Sequence, residues 1–170
     1  ISGSLIRGNT STSVGGGLYH RAGALNVSNS IIALNRSQLV GGGVYADSSI
    51  GSFTNNVVDR NAATYLGGNI FLFSIPSLDI ENNCITHGEK NGFEVVMPVN
   101  ISFRYNDCFG NTPADIVSFV PDSTNGSFPP LYADTAACDY HLLVHSGAID
   151  AADPADMDPD GSRADIGAFG

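Results

Sequence analysis

Val27-Ser-Asn-Ser-Ile-Ile32, followed by Asn35, then Gly41-Gly42-Gly43 and Val44-Tyr45, is the stretch that decides the fold, because it occurs three times. The first segment aligns with Ile1-Ser-Gly-Ser-Leu-Ile6 and Phe53-Thr-Asn-Asn-Val-Val58, whose starts lie 27 − 1 = 26 and 53 − 27 = 26 residues apart. Asn9, Asn35 and Asn61 keep the same step. So do Gly15-Gly16-Gly17, Gly41-Gly42-Gly43 and Gly67-Gly68, and after them Leu18-Tyr19, Val44-Tyr45 and Ile70-Phe71. One supersecondary unit is stacked on copies of itself.

Each copy holds short runs of β-branched and aromatic residues punctuated by Gly, Asn, Ser and Asp, the composition of strands and turns. A sustained apolar pattern at 3.6 spacing is missing from the repeats, which excludes helical solenoids. A coil of this length accommodates roughly three short strands, and stacking coils pairs each strand with its equivalent about 4.8 Å away. The sequence therefore predicts an all-β parallel β-helix of about five coils over residues 1–111. Residues 112–170 are expected to form a loop-rich C-terminal coil or cap of the same domain.

The asparagine columns Asn29/Asn55/Asn82 and Asn9/Asn35/Asn61 fit this fold. Asn tolerates positive φ at a bend, and copies in register pass amide hydrogen bonds from coil to coil. The glycine triplets lack the spacing and the following helix of a phosphate-binding loop, so nucleotide binding is rejected. The repeat then decays. Ile80-Glu-Asn-Asn-Cys-Ile85 begins 80 − 53 = 27 residues after its predecessor, with Gly88 in the Asn column, and Ile101-Ser-Phe-Arg-Tyr105 aligns 101 − 80 = 21 residues later. Residues 112–135, with Pro113, Pro121, Pro129 and Pro130, read as loop.

The repeats resemble those of right-handed parallel β-helix proteins of bacterial surfaces and secretions. Ile6-x-x-Asn9, Ile32-x-x-Asn35 and Val58-x-x-Asn61, with GGGLY or GGGVY, are similar to polymorphic outer-membrane adhesin repeats. Pro130-Leu-Tyr-Ala-Asp134, Asp139-Tyr-His-Leu-Leu143, Ser146-Gly-Ala-Ile-Asp150 and Asp158-Pro-Asp-Gly-Ser-Arg-Ala-Asp-Ile-Gly-Ala-Phe-Gly170 resemble the closing segment of such proteins, with Gly147 and Ala152 departing from it. The resemblance implies the right-handed form of the helix, an extracellular or bacterial cell-surface location and a mixed set of roles: adhesins, structural surface proteins, and polysaccharide lyases or hydrolases.

Seven Lys+Arg against seventeen Asp+Glu give a formal charge of −10, which disfavours nucleic acid and anionic lipid as partners. No run of 18 apolar residues exists to span a membrane as a helix. The chain starts at Ile1 inside a repeat, which suggests a piece of a longer protein. Three cysteines make no disulfide framework. Cys84 fills the apolar slot of Leu5, Ile31 and Val57 and is expected to be buried, and Cys108 with Cys138 is the more plausible pair.

Two constellations are candidate sites. Asp156, Asp158 and Asp160, before Gly161, match D-x-D-x-D-G, and alternate carboxylates on a tight loop can gather calcium. Asp153 and Asp165 could add oxygens. Gly167 stands eleven residues after Asp156, so no EF-hand is implied, and the competing expectation is a solvated acidic turn with Asp160 or Asp165 paired to Arg163. The second is the column Tyr19, Tyr45 and Phe71. If Leu18, Val44 and Ile70 point inward, these rings face out and can stack on sugars, with His20, Arg21 and Asp47 orienting hydroxyls. For catalysis, Asp59-Arg60, His87 and Lys90 are the conceivable parts, without a recurring motif. His20, His141 and His145 read as isolated surface or turn positions.

The expected function is an extracellular structural or adhesive solenoid that contacts a polysaccharide or surface glycan. Self-association is compatible with that form. The alternative is the C-terminal part of a polysaccharide lyase or glycoside hydrolase.

Overall fold

The computed structural model describes residues 1–169; Gly170, the last residue of the expected closing segment, lies outside the described residues. Among the described residues every regular element is a strand, and the parallel strands stack as a β-solenoid of about 4 turns. One sheet stacks Leu5–Arg7, Ile31–Ala33, Val57–Asp59, Cys84–Thr86 and Asp107–Phe109. A larger sheet begins with the long strands Leu18–Ser28 and Val44–Thr54. It continues as the pairs Ile70–Phe73 with Ser77–Glu81 and Phe93–Val96 with Ile101–Arg104, and ends at Ile116–Val117. Thr10–Ser11, Arg36–Ser37 and Ala62–Ala63 make a small third sheet.

Register follows the repeat while the repeat is regular. Leu5 pairs with Ile31 and Ile31 with Val57, both 26 residues apart, since 31 − 5 = 26 and 57 − 31 = 26. Val57 then pairs with Cys84, 84 − 57 = 27, and Cys84 with Asp107, 107 − 84 = 23. In the larger sheet Ile101 pairs with Leu78, and Phe103 with Ile80. The step there is 101 − 78 = 23, which corrects the alignment of Ile101 with Ile80. The inward slot of Val27, Phe53 and Ile80 passes to Phe103, and the bulky ring keeps the column filled as coils shorten. Phe93 and Phe103 pack at 4.6 Å, with Phe119 against both.

Most bends are built from a left-handed residue followed by a buried amide, whereas Asn29 and His87 are followed by Ser30 and Gly88. Asn29, Asn55 and Asn82 have φ of 49°, 55° and 56°. They set the turn, as their residue type permits. The amide ladder of that corner runs one residue later, through Asn56, Asn83, Asn106 and Asn125, which corrects the placement of the ladder at Asn29/Asn55/Asn82. The Nδ2 of Asn56 donates to Asn83 Oδ1 at 3.0 Å, and the Nδ2 of Asn83 to Asn106 Oδ1 at 2.9 Å. At the other corner Leu34, Arg60 and His87 are left-handed. There the Nδ2 of Asn9 donates to Asn35 Oδ1, and that of Asn35 to Asn61 Oδ1, both at 3.0 Å.

Gly88 interrupts this second ladder, and a compensating residue repairs it. The third glycine of the triplet is replaced in the next coil by Asn69, whose Oδ1 accepts from Asn61 Nδ2 at 2.9 Å and whose Nδ2 donates to Asn111 Oδ1 at 2.9 Å. A Cβ on Gly43 would lie 2.9 Å from the Asn61 amide, and one on Gly88 would lie 2.7 Å from Asn69 Nδ2. Each coil therefore has room for one amide at this point, delivered from either of two positions.

Residues 112–126 extend the solenoid by a last coil, with Ile116 and Val117 paired to Phe93 and Glu94 and Gly126 bridged to Asp107, and the segment that follows leaves the stack. It folds back along the outer face of the five-stranded sheet. There Ala33, Val57 and Cys84 form a second buried apolar cluster with Tyr140, Ala148, Ala152, Ala164 and Ile166. Its hairpin, Tyr132–Asp134 with Asp139–Leu142, is antiparallel. Farther along, Asn82 Nδ2 donates to Asp156 Oδ2, Asp153 N donates to Asn82 Oδ1, both at 2.9 Å, and Gly167 N donates to Asn82 O at 3.0 Å. Cys84 is buried as expected, but on this covered outer face. Burying a side chain of the size of Val57 contributes about 1.5–3 kcal/mol, so the cover stabilises the coils of Ala33, Val57 and Cys84, while Leu5 in the first coil stays exposed.

Candidate functional site

Alternation places Tyr19, Tyr45 and Phe71 on the outside of the larger sheet, stacked at 5.6 Å and 6.0 Å with planes within 12°. Their exposure is graded. Tyr19 is 52% exposed, Tyr45 is half-buried and Phe71 is buried at 6%. Self-stacking also occupies the ring faces, so the column turns mainly edges to solvent and leaves free only the face of Tyr19 that points away from Tyr45. Phe71 is thus a packing residue. Beyond it the column passes to Glu94, whose Oε2 accepts from Gly67 N and Asn91 Nδ2. Arg21 and Asp47 flank the rings as an ion pair at 3.3 Å. His20 is not one of their outward neighbours. It shares the inward column of Ala46 and Leu72, and its Nδ1 lies 2.7 Å from Ser49 Oγ.

Of the three candidate acidic tail residues, Asp156 and Asp160 hold side-chain partners. Asp156 accepts from Asn82, and Asp160 Oδ1 accepts from Ser162 N at 2.9 Å and Ser162 Oγ at 2.6 Å. Those bonds hold the Asp160 carboxyl below its ordinary range, whereas desolvation, then Asp165, Asp160 and Asp150, push Asp158 up. Among the described residues no three acidic, His or Cys side chains are gathered to hold one metal ion. Arg163 is not paired to Asp160 or Asp165: it donates to the carbonyls of Ala151 and Ala152 and lies 5.7 Å over the Tyr105 ring. All three cysteines are free thiols. Cys108 faces the solenoid interior and Cys138 packs in the tail cluster, so the expected pair does not form. Burial pushes the Cys84 and Cys108 thiols well above their ordinary range.

The densest polar constellation surrounds Asp59. Its carboxylate is fully buried on the covered face, where Oδ1 accepts from Thr86 Oγ1 at 2.8 Å and from His87 Nδ1 at 2.9 Å. Oδ2 accepts from Arg60 Nη1 at 3.2 Å and Tyr140 Oη at 3.1 Å. Arg60 also donates to Thr135 Oγ1 at 2.6 Å, and Thr86 Oγ1 lies 3.2 Å from Tyr132 Oη. A buried carboxylate is tolerable only with such a set of donors. Burial, followed by Asp59, pushes the Tyr140 hydroxyl up, so it remains a donor. Asp59, Arg60 and His87, three of the four conceivable catalytic parts, are therefore brought together. Lys90 is exposed on a left-handed turn and does not line the cleft beside them.

Tyr132, Thr135 and Tyr140, which complete this constellation, come from the tail and were not singled out in the sequence. The available signal was Asp59 itself: a carboxylate in the slot occupied by Ala33 one coil earlier needs donors from outside the repeat. No family model, curated protein or solved structure matches this chain.

Proposed function

We propose that the chain is an extracellular structural and adhesive β-solenoid module of a bacterial surface or secreted protein, contacting glycans through the outward edge formed by Tyr19 and Tyr45. The observation that supports the glycan reading is the half-exposed Tyr19 ring, held flat by Tyr45 beneath it and bordered by the Arg21–Asp47 pair. A rigid ring with one open apolar face and a polar rim suits the C–H face and hydroxyls of a sugar. The ladders supply rigidity, as a stalk requires.

Retention on a glycan array tests this reading. Tyr19→Ala should weaken binding by on the order of 1 kcal/mol, that of one stacked ring, with folding intact. Tyr45→Ala should act less strongly, because both faces of that ring are already occupied. The wild-type chain should release neither reducing ends nor unsaturated products from polysaccharides. Turnover by the isolated chain would favour a polysaccharide lyase or glycoside hydrolase, and equal retention by Tyr19→Ala would overturn the surface assignment.

A further inference from the structure

The cleft beside Asp59 has chemistry that latching the tail does not use. Arg60, His87, Phe109, Pro129, Leu131 and Thr135 border an opening of about 250 Å³ between the sheet and the start of the tail. We propose that this cleft is a binding site for a neutral, hydroxyl-rich ligand the size of one sugar ring. It shares a ligand class with the proposed glycan contact but lies on a different face, so either can fail alone.

Fixed hydrogen-bond polarity carries the inference. Four donors converge on Asp59, as a carboxylate acceptor requires, so His87 Nδ1 carries a proton toward it. In the neutral imidazole this leaves Nε2 as an acceptor, and the bond from Nδ1 fixes the ring's orientation. Among the described residues Nε2 has no hydrogen-bond partner, and the His87 side chain is 34% exposed at the cleft. Arg60 spends Nη1 on Asp59 and Thr135, and its Nε and Nη2 have no partner among the described residues. An oriented acceptor beside an oriented donor matches adjacent hydroxyls, each of which both donates and accepts. Phe109, Pro129 and Leu131 supply an apolar wall for the C–H face of the same ring.

Size and charge narrow the class. The opening is smaller than the roughly 300–1,000 Å³ of drug-sized pockets, which fits one ring rather than an enclosed oligomer. The charge of Arg60 is already balanced by Asp59 at 3.2 Å, and the chain carries a formal −10, so an anionic ligand gains little here.

An amide NMR titration of the full chain with D-glucose, D-galactose and D-mannose, and with D-glucuronate as the anionic arm, tests the proposal. At least one neutral sugar should saturably shift the amides of His87, Gly110 and Leu131 in the millimolar range, whether or not those of Tyr19 and Tyr45 also move. Arg60→Ala and Leu131→Asn should each weaken that binding about tenfold or more. Leu131 has a φ of 50° and is partly exposed, so Asn suits its backbone and this variant isolates the wall if Arg60→Ala fails to fold. No saturable shift at these amides, tightest binding by glucuronate, or full affinity in folded Leu131→Asn would overturn the site. Shifts confined to Tyr19 and Tyr45 would overturn it while sustaining the surface contact.

Discussion

Two outer faces of this solenoid, those of its two larger sheets, share one repeat and differ in what lies over them. On the open face of the larger sheet, strands alternate in the ordinary way, with Tyr19, Arg21, Tyr45 and Asp47 pointing to solvent between inward Leu18, Val44 and Ala46. On the five-stranded sheet both faces are apolar: Ile31-Ile32-Ala33 and Val57-Val58 contribute Ile32 and Val58 to the interior and Ala33 and Val57 to the cluster beneath the tail. A strand that is apolar at consecutive positions is buried on both faces. The lost alternation is the mark of the cover, and it is written in the repeat rather than in the tail.

Substituting the two outward slots alike is the most severe way to test this comparison. Val57→Ser should cost roughly 3–4 kcal/mol, because it empties a packed position and strands a hydroxyl under the tail. Tyr45→Ser, outward on the open face, should cost about 1 kcal/mol, the loss of its ring stacking. Urea unfolding of the two variants measures the gap. Equal costs would mean that the tail is not packed on Val57.

The solenoid was legible because a constant step of 26 leaves few alternatives: the positions of Asn35 and Gly43 recur at that step, and the structure pairs the strands on either side of them accordingly. The short coils were harder. Ile101 and Ile80 share a residue type, but the inward slot is taken by Phe103, and no local pattern distinguishes a two-residue slip once the turn length changes. The position of the tail is a long-range property. Its proline and aspartate punctuation specifies turns without indicating whether they close an end or lie along a side, and Asp59 meets Tyr140 across 140 − 59 = 81 residues. For the same reason the tail half of the Asp59 cluster could not be named, and Phe71 was read as outward without the packing that buries it.

The interior ladder offers a sharper test of intermediate size. Asn69→Gly removes the amide that bridges Asn61 to Asn111 and leaves buried donors unpaired, at roughly 2–3 kcal/mol. Gly88→Asn alone should also destabilise, because its Cβ would sit 2.7 Å from Asn69 Nδ2. Together the two substitutions restore the arrangement of the preceding coils, a glycine in the triplet and an asparagine at the bend, and should recover most of the loss. Such non-additivity is expected of residues that share one space and one hydrogen-bond network. Additive costs in thermal unfolding would show that the slot cannot be filled from both positions.

The mildest test lies where the covered face begins. Asp107 follows Cys84 in the outward column and is buried, with Oδ1 accepting from Phe128 N at 2.7 Å and Oδ2 lacking any partner among the described residues. Desolvation pushes its carboxyl from 3.8 up to about 7, with Asp115 adding to the rise and the Phe128 bond and His87 opposing it. A folded-state value above the unfolded one means that the native fold favours the protonated acid. The stabilisation from this group is full below about pH 4 and is lost as pH rises toward 7. Asp107→Asn keeps an acceptor for Phe128 N and carries no charge, so it should stabilise the protein by roughly 1–2 kcal/mol at pH 8 and leave it nearly unchanged near pH 4. Melting curves of both proteins across that range decide the matter. A variant that gains nothing at pH 8 would show that water or a cation reaches Oδ2, and that the tail covers this end of the face less tightly than it covers Val57.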